Sequence, residues 1–419
     1  MEGTGLIIGI EYNKTVKQAC VYDMKSHAPV AYDEVKGLDI DTALMRICEK
    51  YNTKDIDSLC ITGTDMYTPE LEEIGHNICG PSMNIGNCML IGHVQAFAYY
   101  AYSQRKELYQ SGVVLMDYDG GIVNVSRLSY NTENGIQYIS DQCERYETFN
   151  DIKGNKTGDV INGNHDNAAV IKTDKDNYSN HGNDSDSNVN GNVDGNIDGN
   201  VGTAQNYLMD KESRNNNIIR NSHILSEYIA GYFNEHTASS VYLTGDGFDV
   251  DRLPDELSRT LIRGRKAYIG QNLYVRGACY AAYEAVYKDV FDNVVLLVDG
   301  CIGANIEVDI SEHEHPMRFR MIKQGTDWHM AARSADFIIE DMTALPLKLV
   351  YPDGSCAERI IDISSIPYRE GKTTRIRLDI KALSKDRCQV TVKDLGFGEI
   401  FPSSGKIITE EIDISEGCV

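Results

Sequence analysis

Between Asn150 and about Gln205 the sequence loses its apolar periodicity and turns to Asn, Gly, Asp and Ser, ending in NVNGNVDGNIDGNVG over Asn188 to Gly202. A stretch of that composition has too little apolar surface to offset the entropy of ordering it. It reads as a disordered insertion, so any core must be assembled from the two pieces that flank it. Within it, Asp186, Asn188, Asn190 and Gly191 match the first half of a calcium-loop pattern. The twelfth position is Ile197, where a bidentate Glu is required, so the stretch reads as solvated spacer.

The flanking pieces carry regular patterns. Gly5 to Ile10 and Ala19 to Asp23 are apolar runs separated by a polar turn, as in a hairpin. Ser58 to Gly63 and Val113 to Met116 are short, continuously apolar strands of the buried type. Helical spacing covers Ile40 to Tyr51 and Ile91 to Tyr109, the latter with Val94, Ala98 and Ala101 on one face. After the insertion, Ser222 to Glu235 predicts a helix, Ser240 to Leu243 a strand and Leu273 to Val290 a second helix. From Val294 onward strands and turns take over, punctuated by Pro352-Asp353-Gly354, Gly396 and Gly398. The expected organisation is an α/β domain over residues 1–292, interrupted by 150–205, followed by an all-β module over 293–419.

Charge narrows the partners. Lys and Arg total 40 against 63 Asp and Glu, a formal charge of −23, and so acidic a surface repels phosphate backbones and anionic lipid. Nucleic acid and membrane are therefore not expected partners. The apolar run Leu6 to Ile10 is too short for a signal segment, and no stretch approaches a membrane span. The eleven cysteines lie singly, without CxxC pairs or zinc-like His spacing. Free thiols in a reducing compartment, and a cytoplasmic location, are the expectation.

Three stretches have the look of ligand loops. Gly9-Ile10-Glu11-Tyr12-Asn13-Lys14-Thr15 is a strand ending in a carboxylate and a polar turn. Leu115-Met116-Asp117-Tyr118-Asp119-Gly120-Gly121-Ile122-Val123 repeats the theme with glycines. Val241-Tyr242-Leu243-Thr244-Gly245-Asp246-Gly247-Phe248 runs from a strand into a glycine loop. Glycine turns let backbone N–H groups approach phosphate oxygens, and a carboxylate at a strand end holds hydrated magnesium or orients a water. Asn272 to Ala282 then follows as a helix of small residues suited to close packing.

In this order the pieces resemble the two phosphate loops, the adenosine loop and the second connecting helix of the actin-like ATPase superfamily, most closely the seventy-kilodalton heat-shock chaperones. Leu90 to Tyr99 is similar to that family's first connecting helix. Asp362 to Arg369, Arg375 to Ile380, Cys388 to Asp394 and Met321 to Thr326 resemble its peptide-binding β-sandwich. The resemblance implies an actin-like, ribonuclease H-like α/β domain followed by a sandwich that binds protein or peptide segments, with no helical lid. It also implies ATP or ADP with magnesium as cofactor. Carried over residue by residue, Asp117 and Glu11 would arrange water and magnesium, the latter through its water shell. Asn13, Lys14, Thr15, Gly120, Gly121, Gly245 and Gly247 would line the nucleotide.

The departures are specific. Glu11 and Asn13 stand where the family has Asp and Gly, Asp119 replaces a glycine, Ile122 a threonine, and His93-Val94 a Glu-Pro pair. The interval between Glu11 and Asp117 is short for the family's extra subdomain. The reading that follows is a divergent chaperone-like protein whose nucleotide domain serves as a scaffold. Its alternative is an active MgATPase coupled to peptide binding. His93 reads as a packing residue, Trp328 as part of the sandwich core, and His313 and His315 as a solvated edge.

Overall fold

The computed structural model describes residues 5–63, 83–119, 122–133, 136–147, 161–162, 222–245, 248, 253–291, 293–312, 315–340 and 342–415. The Asn-rich insertion with its calcium-like stretch, and Gly120, Gly121, Asp246 and Gly247, lie outside these residues.

The first sheet is built from β1 (Leu6–Asn13), β2 (Thr15–Asp23), β3 (Ala28–Ala31), β4 (Asp55–Gly63), β5 (Asn84–Ile85) and β6 (Cys88–Gly92). Its order is β3-β2-β1-β4-β5, with β6 also on β4. β1, β2 and β3 are antiparallel neighbours, whereas β4 runs parallel to β1 and carries β5 and β6 parallel to itself. The second sheet repeats the plan with β7 (Val113–Asp119), β8 (Ile122–Glu133), β9 (Ile136–Glu147), β10 (Ile161–Asn162), β11 (Ser240–Thr244), β12 (Lys266–Ile269) and β13 (Val294–Leu297). It runs β10-β9-β8-β7-β11-β12, with β13 added to β9. Here too the leading three strands are antiparallel and β11 and β12 parallel. The expected α/β layer is thus present twice, as two mixed sheets of the same strand order.

The helices sort by sheet face. β1 alternates so that Ile8 and Ile10 face α1 (Ile40–Tyr51), through Ala43, Leu44 and Ile47, while Ile7 faces the opposite side. Burying each such Leu or Ile is worth about 1.5–3 kcal/mol. Helix α1 starts on Asp39, whose carboxylate accepts from the Thr42 N–H, and stops at Asn52 in the left-handed region. In the second sheet Val114, Met116 and Tyr118 face α3, residues 222–235, and α4 (Asp255–Ile262).

The remaining helices, α2 (His93–Tyr102) and α5 (Leu273–Tyr287), serve both sheets. Phe97, Ala98 and Ala101 of α2 pack on Leu115 and Tyr242 of the second sheet, while Ala278, Cys279 and Ala282 of α5 pack on Ile7 and Cys60 of the first. The Cβ that Gly9 lacks would lie 2.4 Å from the Cys279 amide nitrogen, so β1 admits α5 to backbone contact. These two helices are the wall the sheets share.

Beyond β13 come two four-stranded sheets, β15-β14-β17-β18 and β16-β19-β20-β21. Their strands are β14 (Asn305–Glu312), β15 (His315–Ile322), β16 (Ala332–Ile339), β17 (Ala344–Val350), β18 (Cys356–Asp362), β19 (Thr374–Ser384), β20 (Arg387–Asp394) and β21 (Ile407–Asp413). Inward residues of both sheets, among them Ile306, Leu347, Leu349, Ile361, Leu378 and Val390, form one core, with Trp328 partly buried against it. This is a β-sandwich. Both of its open seams are bridged by arginine: Arg333 of β16 donates to the Arg320 carbonyl of β15, and Arg359 of β18 to the Asp413 carbonyl of β21.

The sandwich is tied to the α/β part by side chains. Gln95 of α2 donates to Asp327 Oδ2 at 3.1 Å and to Cys301 Sγ at 3.3 Å. Gln324 donates to the Tyr138 hydroxyl at 3.0 Å. None of the nine cysteines among the described residues is in a disulfide, and burial pushes the Cys20, Cys143, Cys301 and Cys388 thiols up to about 12. Those four are packing groups rather than nucleophiles. No helix among the described residues is long and apolar enough to cross a membrane.

Candidate functional site

β1 and β7, the leading strands of the two sheets, each end near a carboxylate, and α2 and α5 lie between the sheets. Glu11 sits at a bulge in β1, opposite Gln18 of β2 and Thr62 of β4. On the far side of β4, Thr62 and Gly63 pair with Ile91 and Gly92, from which the chain turns directly into α2. The helix therefore delivers its first residue, His93, to Glu11.

The Glu11 side chain is buried, with Lys17 Nζ and His93 Nε2 each 3.7 Å from Oε1. Burial raises its carboxyl above the ordinary range, Lys17 draws it back, and Asp117 across the cleft raises it again. His93 is neutral, since burial lowers its imidazole to about 3. Its Nε2 and the Thr62 hydroxyl are buried without a hydrogen-bond partner. Two orphaned polar atoms beside a buried carboxylate are a place for something polar to sit.

From the second sheet comes Asp117. Its Oδ2 accepts a 2.6 Å hydrogen bond from the Tyr274 hydroxyl. Tyr274 lies in the first turn of α5, and its ring is stacked on His93 at 3.8 Å between centroids and 6° between planes. Burial, then Asp117, hold the Tyr274 hydroxyl well above its usual range, so it keeps its proton and donates it to Asp117. Gly245, following β11, closes this side. With φ +92, it would place a Cβ 2.2 Å from the Tyr118 carbonyl oxygen and 2.5 Å from Asp117 Oδ1. The mouth is laced across: Gln18 donates to the Gln271 carbonyl at 2.8 Å, and Gln271 to that of Gly245 at 2.9 Å.

The structure thus brings together Glu11, Asp117 and Gly245. Asn13, Lys14 and Thr15 form the exposed turn of the β1–β2 hairpin, with Lys14 at φ 59 and its carbonyl accepting from the Tyr12 hydroxyl. The cation beside Glu11 is Lys17, not Lys14. Gly120, Gly121 and Gly247 lie outside the described residues. Sequence reasoning passed over Lys17, Thr62 and Tyr274, and took His93 for packing alone. The signal present was His93 itself, a titratable group where the resembling family has Glu-Pro.

The donor set suits magnesium held through its water shell. Glu11 and Asp117 offer hard carboxylate oxygens. Among the described residues no three His, Cys, Asp or Glu side chains gather closely enough to hold a metal directly.

Known proteins add a family but no activity. No curated protein matches the chain. Among solved structures, the activator of the 2-hydroxyisocaproyl-CoA dehydratase from Clostridium difficile, with bound ADPNP, is 13% identical at a TM-score of 0.31, covering 68% of this chain and 96% of that one. A proposed sugar kinase from Cytophaga hutchinsonii is 12% identical at 0.32, covering 67% and 100%. Similarity at that level transfers neither fold nor function. Residues 302–414 match a domain of unknown function (DUF8552). Residues 30–299, more than half of the chain, match the C-terminal part of a family of unknown function (DUF5716), and to that family the protein belongs.

Proposed function

We propose that the cleft between the two mixed sheets binds a nucleotide with magnesium, and that the α/β part is a nucleotide-responsive scaffold for the sandwich. The observation that carries this reading is the convergence of Glu11 and Asp117 from equivalent strands of two like sheets, beside the buried, unpartnered His93 Nε2 and Thr62 Oγ1. Glu11 and Asp117 would hold the magnesium through water, and magnesium would neutralise phosphate charge there. Lys17 supplies a cation at the Glu11 side.

The test is thermal unfolding with and without millimolar MgADP or MgATP. A ligand at ~100 times its dissociation constant stabilises the native state by about 2.7 kcal/mol. An upward shift, lost in Asp117→Ala, is expected. No shift with either nucleotide would overturn the reading. Release of phosphate from MgATP by the same protein would favour the hydrolysing alternative over the scaffold.

A second reading concerns the sandwich, as a chaperone-like binder of protein segments. Its support is an apolar loop after β20. Ile400 is 83% exposed, with Phe397, Phe401 and Tyr368 also exposed. Arg369 and Asp394 hold this loop from beneath, joined by two hydrogen bonds of 2.8 and 2.7 Å. Exposed apolar groups on a braced loop suit protein contact. Binding of unfolded polypeptide that is lost in Ile400→Asp would support it, and binding unchanged by that substitution would remove it.

A further inference from the structure

We propose that Tyr274 is a gate on the cleft: hydrogen-bonded to Asp117, it occupies the acceptor that the water shell of magnesium needs, and it must swing away when the metal nucleotide enters. This rests on the nucleotide reading above and goes beyond it, because it assigns the cleft a closed state and names the group that closes it.

Three observations carry the argument. The Tyr274 hydroxyl is 2.6 Å from Asp117 Oδ2, and a carboxylate oxygen committed to a phenol is a poorer acceptor for metal-bound water. The other carboxylate oxygen lies against Gly245, where even one added carbon would lie 2.5 Å from it, so that side of Asp117 is crowded. Finally, the ring stacks on His93 and is buried in the cluster that includes Phe97, Leu115 and Leu273. The swing is a rotation of the Tyr274 side chain out of that packing, which does not require α5 to unwind. The same swing uncovers the face of His93, whose Nε2 has no partner in the closed state.

The energetics set a direction. The Tyr274 bond stabilises only the closed, ligand-free state, so removing the hydroxyl removes a competitor of the ligand. A hydrogen bond to a charged acceptor has a net worth that corresponds to about a tenfold change in affinity or more.

The experiment is calorimetric titration of the full chain with MgADP, comparing the natural protein with Tyr274→Phe. Phe keeps the ring, the stack and the burial and loses only the donor. Binding about tenfold tighter in Tyr274→Phe is expected. Equal or weaker binding overturns the gate while leaving the nucleotide reading intact, whereas heat with neither protein overturns both. A second measurement on the natural protein covers a variant that fails to fold. The ring-proton resonances of Tyr274, displaced by its stack on His93, should move toward ordinary tyrosine positions on addition of MgADP, as the stack is released. Resonances that stay displaced in the MgADP complex would mean that Tyr274 does not swing, and would overturn the proposal.

Discussion

The Cβ that Gly277 lacks would lie 1.8 Å from the carbonyl oxygen of Ala96, so α5 and α2 cross with their backbones in contact. No side-chain adjustment relieves a clash with backbone. Gly277→Ala must part the two helices, and overpacking of this kind costs about 1–3 kcal/mol or more. The expected result is a clear fall in the urea midpoint. An unchanged midpoint would mean the crossing is looser than described.

Gly245 faces two penalties at once, a left-handed φ of +92 and a Cβ position 2.2 Å from the Tyr118 carbonyl. Gly245→Ala should destabilise the second sheet and displace Asp117. Its expected signature is loss of the MgADP-induced thermal shift together with a lower melting temperature. A full ligand shift in this variant would argue against Asp117 as a ligand contact.

Asp394 and Arg369 form a buried pair in the sandwich. The Arg369 guanidinium holds the Asp394 carboxyl well below the usual carboxylate range, helped by Ser404 and by the Gly396 amide. A depressed folded-state value means the pair stabilises the fold above the unfolded value, about 3.9, and that this contribution is lost as pH falls through the folded one. Stability should thus decline in strong acid more steeply in the natural protein than in Asp394→Asn. At neutral pH, Asp394→Ala leaves a buried arginine alone, a loss of about 3–5 kcal/mol. Chemical unfolding at pH 7 and below pH 4 checks both.

Gln95 answers three groups: it accepts from the Gly92 amide at 3.0 Å and donates to Asp327 and Cys301. Gln95→Ala leaves the start of α2 without its acceptor and removes one of the side-chain ties to the sandwich, an expected loss of about 1–3 kcal/mol. Limited proteolysis near residue 300 should accelerate in this variant. Unchanged cleavage and melting would show the tie to be dispensable.

Local patterns reported local structure well. The spacing over Ile40 to Tyr51 gives α1 to the residue, because its apolar stripe and its cap lie within one short window. The first connecting helix is shorter than Ile91 to Tyr109. Ile91 and Gly92 are claimed by β4 as a parallel strand, and the helix ends at Tyr102. The second stops at Tyr287 rather than Val290, where Lys288 turns left-handed and the Glu284 carboxylate accepts the amides of Asp289, Val290 and Phe291. Neither event has a periodic signature.

At the site, Glu11 and Asp117 were legible because each ends an apolar run. The stack of His93 on Tyr274 and the reach of Gln95 to Asp327 were not. Those contacts join residues far apart in the chain, and they exist only once both sheets lean on the same two helices. Lys17 was hidden by a simpler cause: the bulge at Glu11 shifts the hairpin register, bringing a lysine beyond the turn to the carboxylate.

A sandwich with two open seams is a growing point for fibrils, since each bare border invites a strand from the next molecule. Here the Arg333 and Arg359 side chains already occupy carbonyls at those borders. An incoming strand would have to evict a guanidinium before it could pair. Each seam is thus partly blocked to an incoming strand, and an Arg333→Ala, Arg359→Ala double variant is expected to self-associate more readily than the natural protein, as light scattering at high concentration would show.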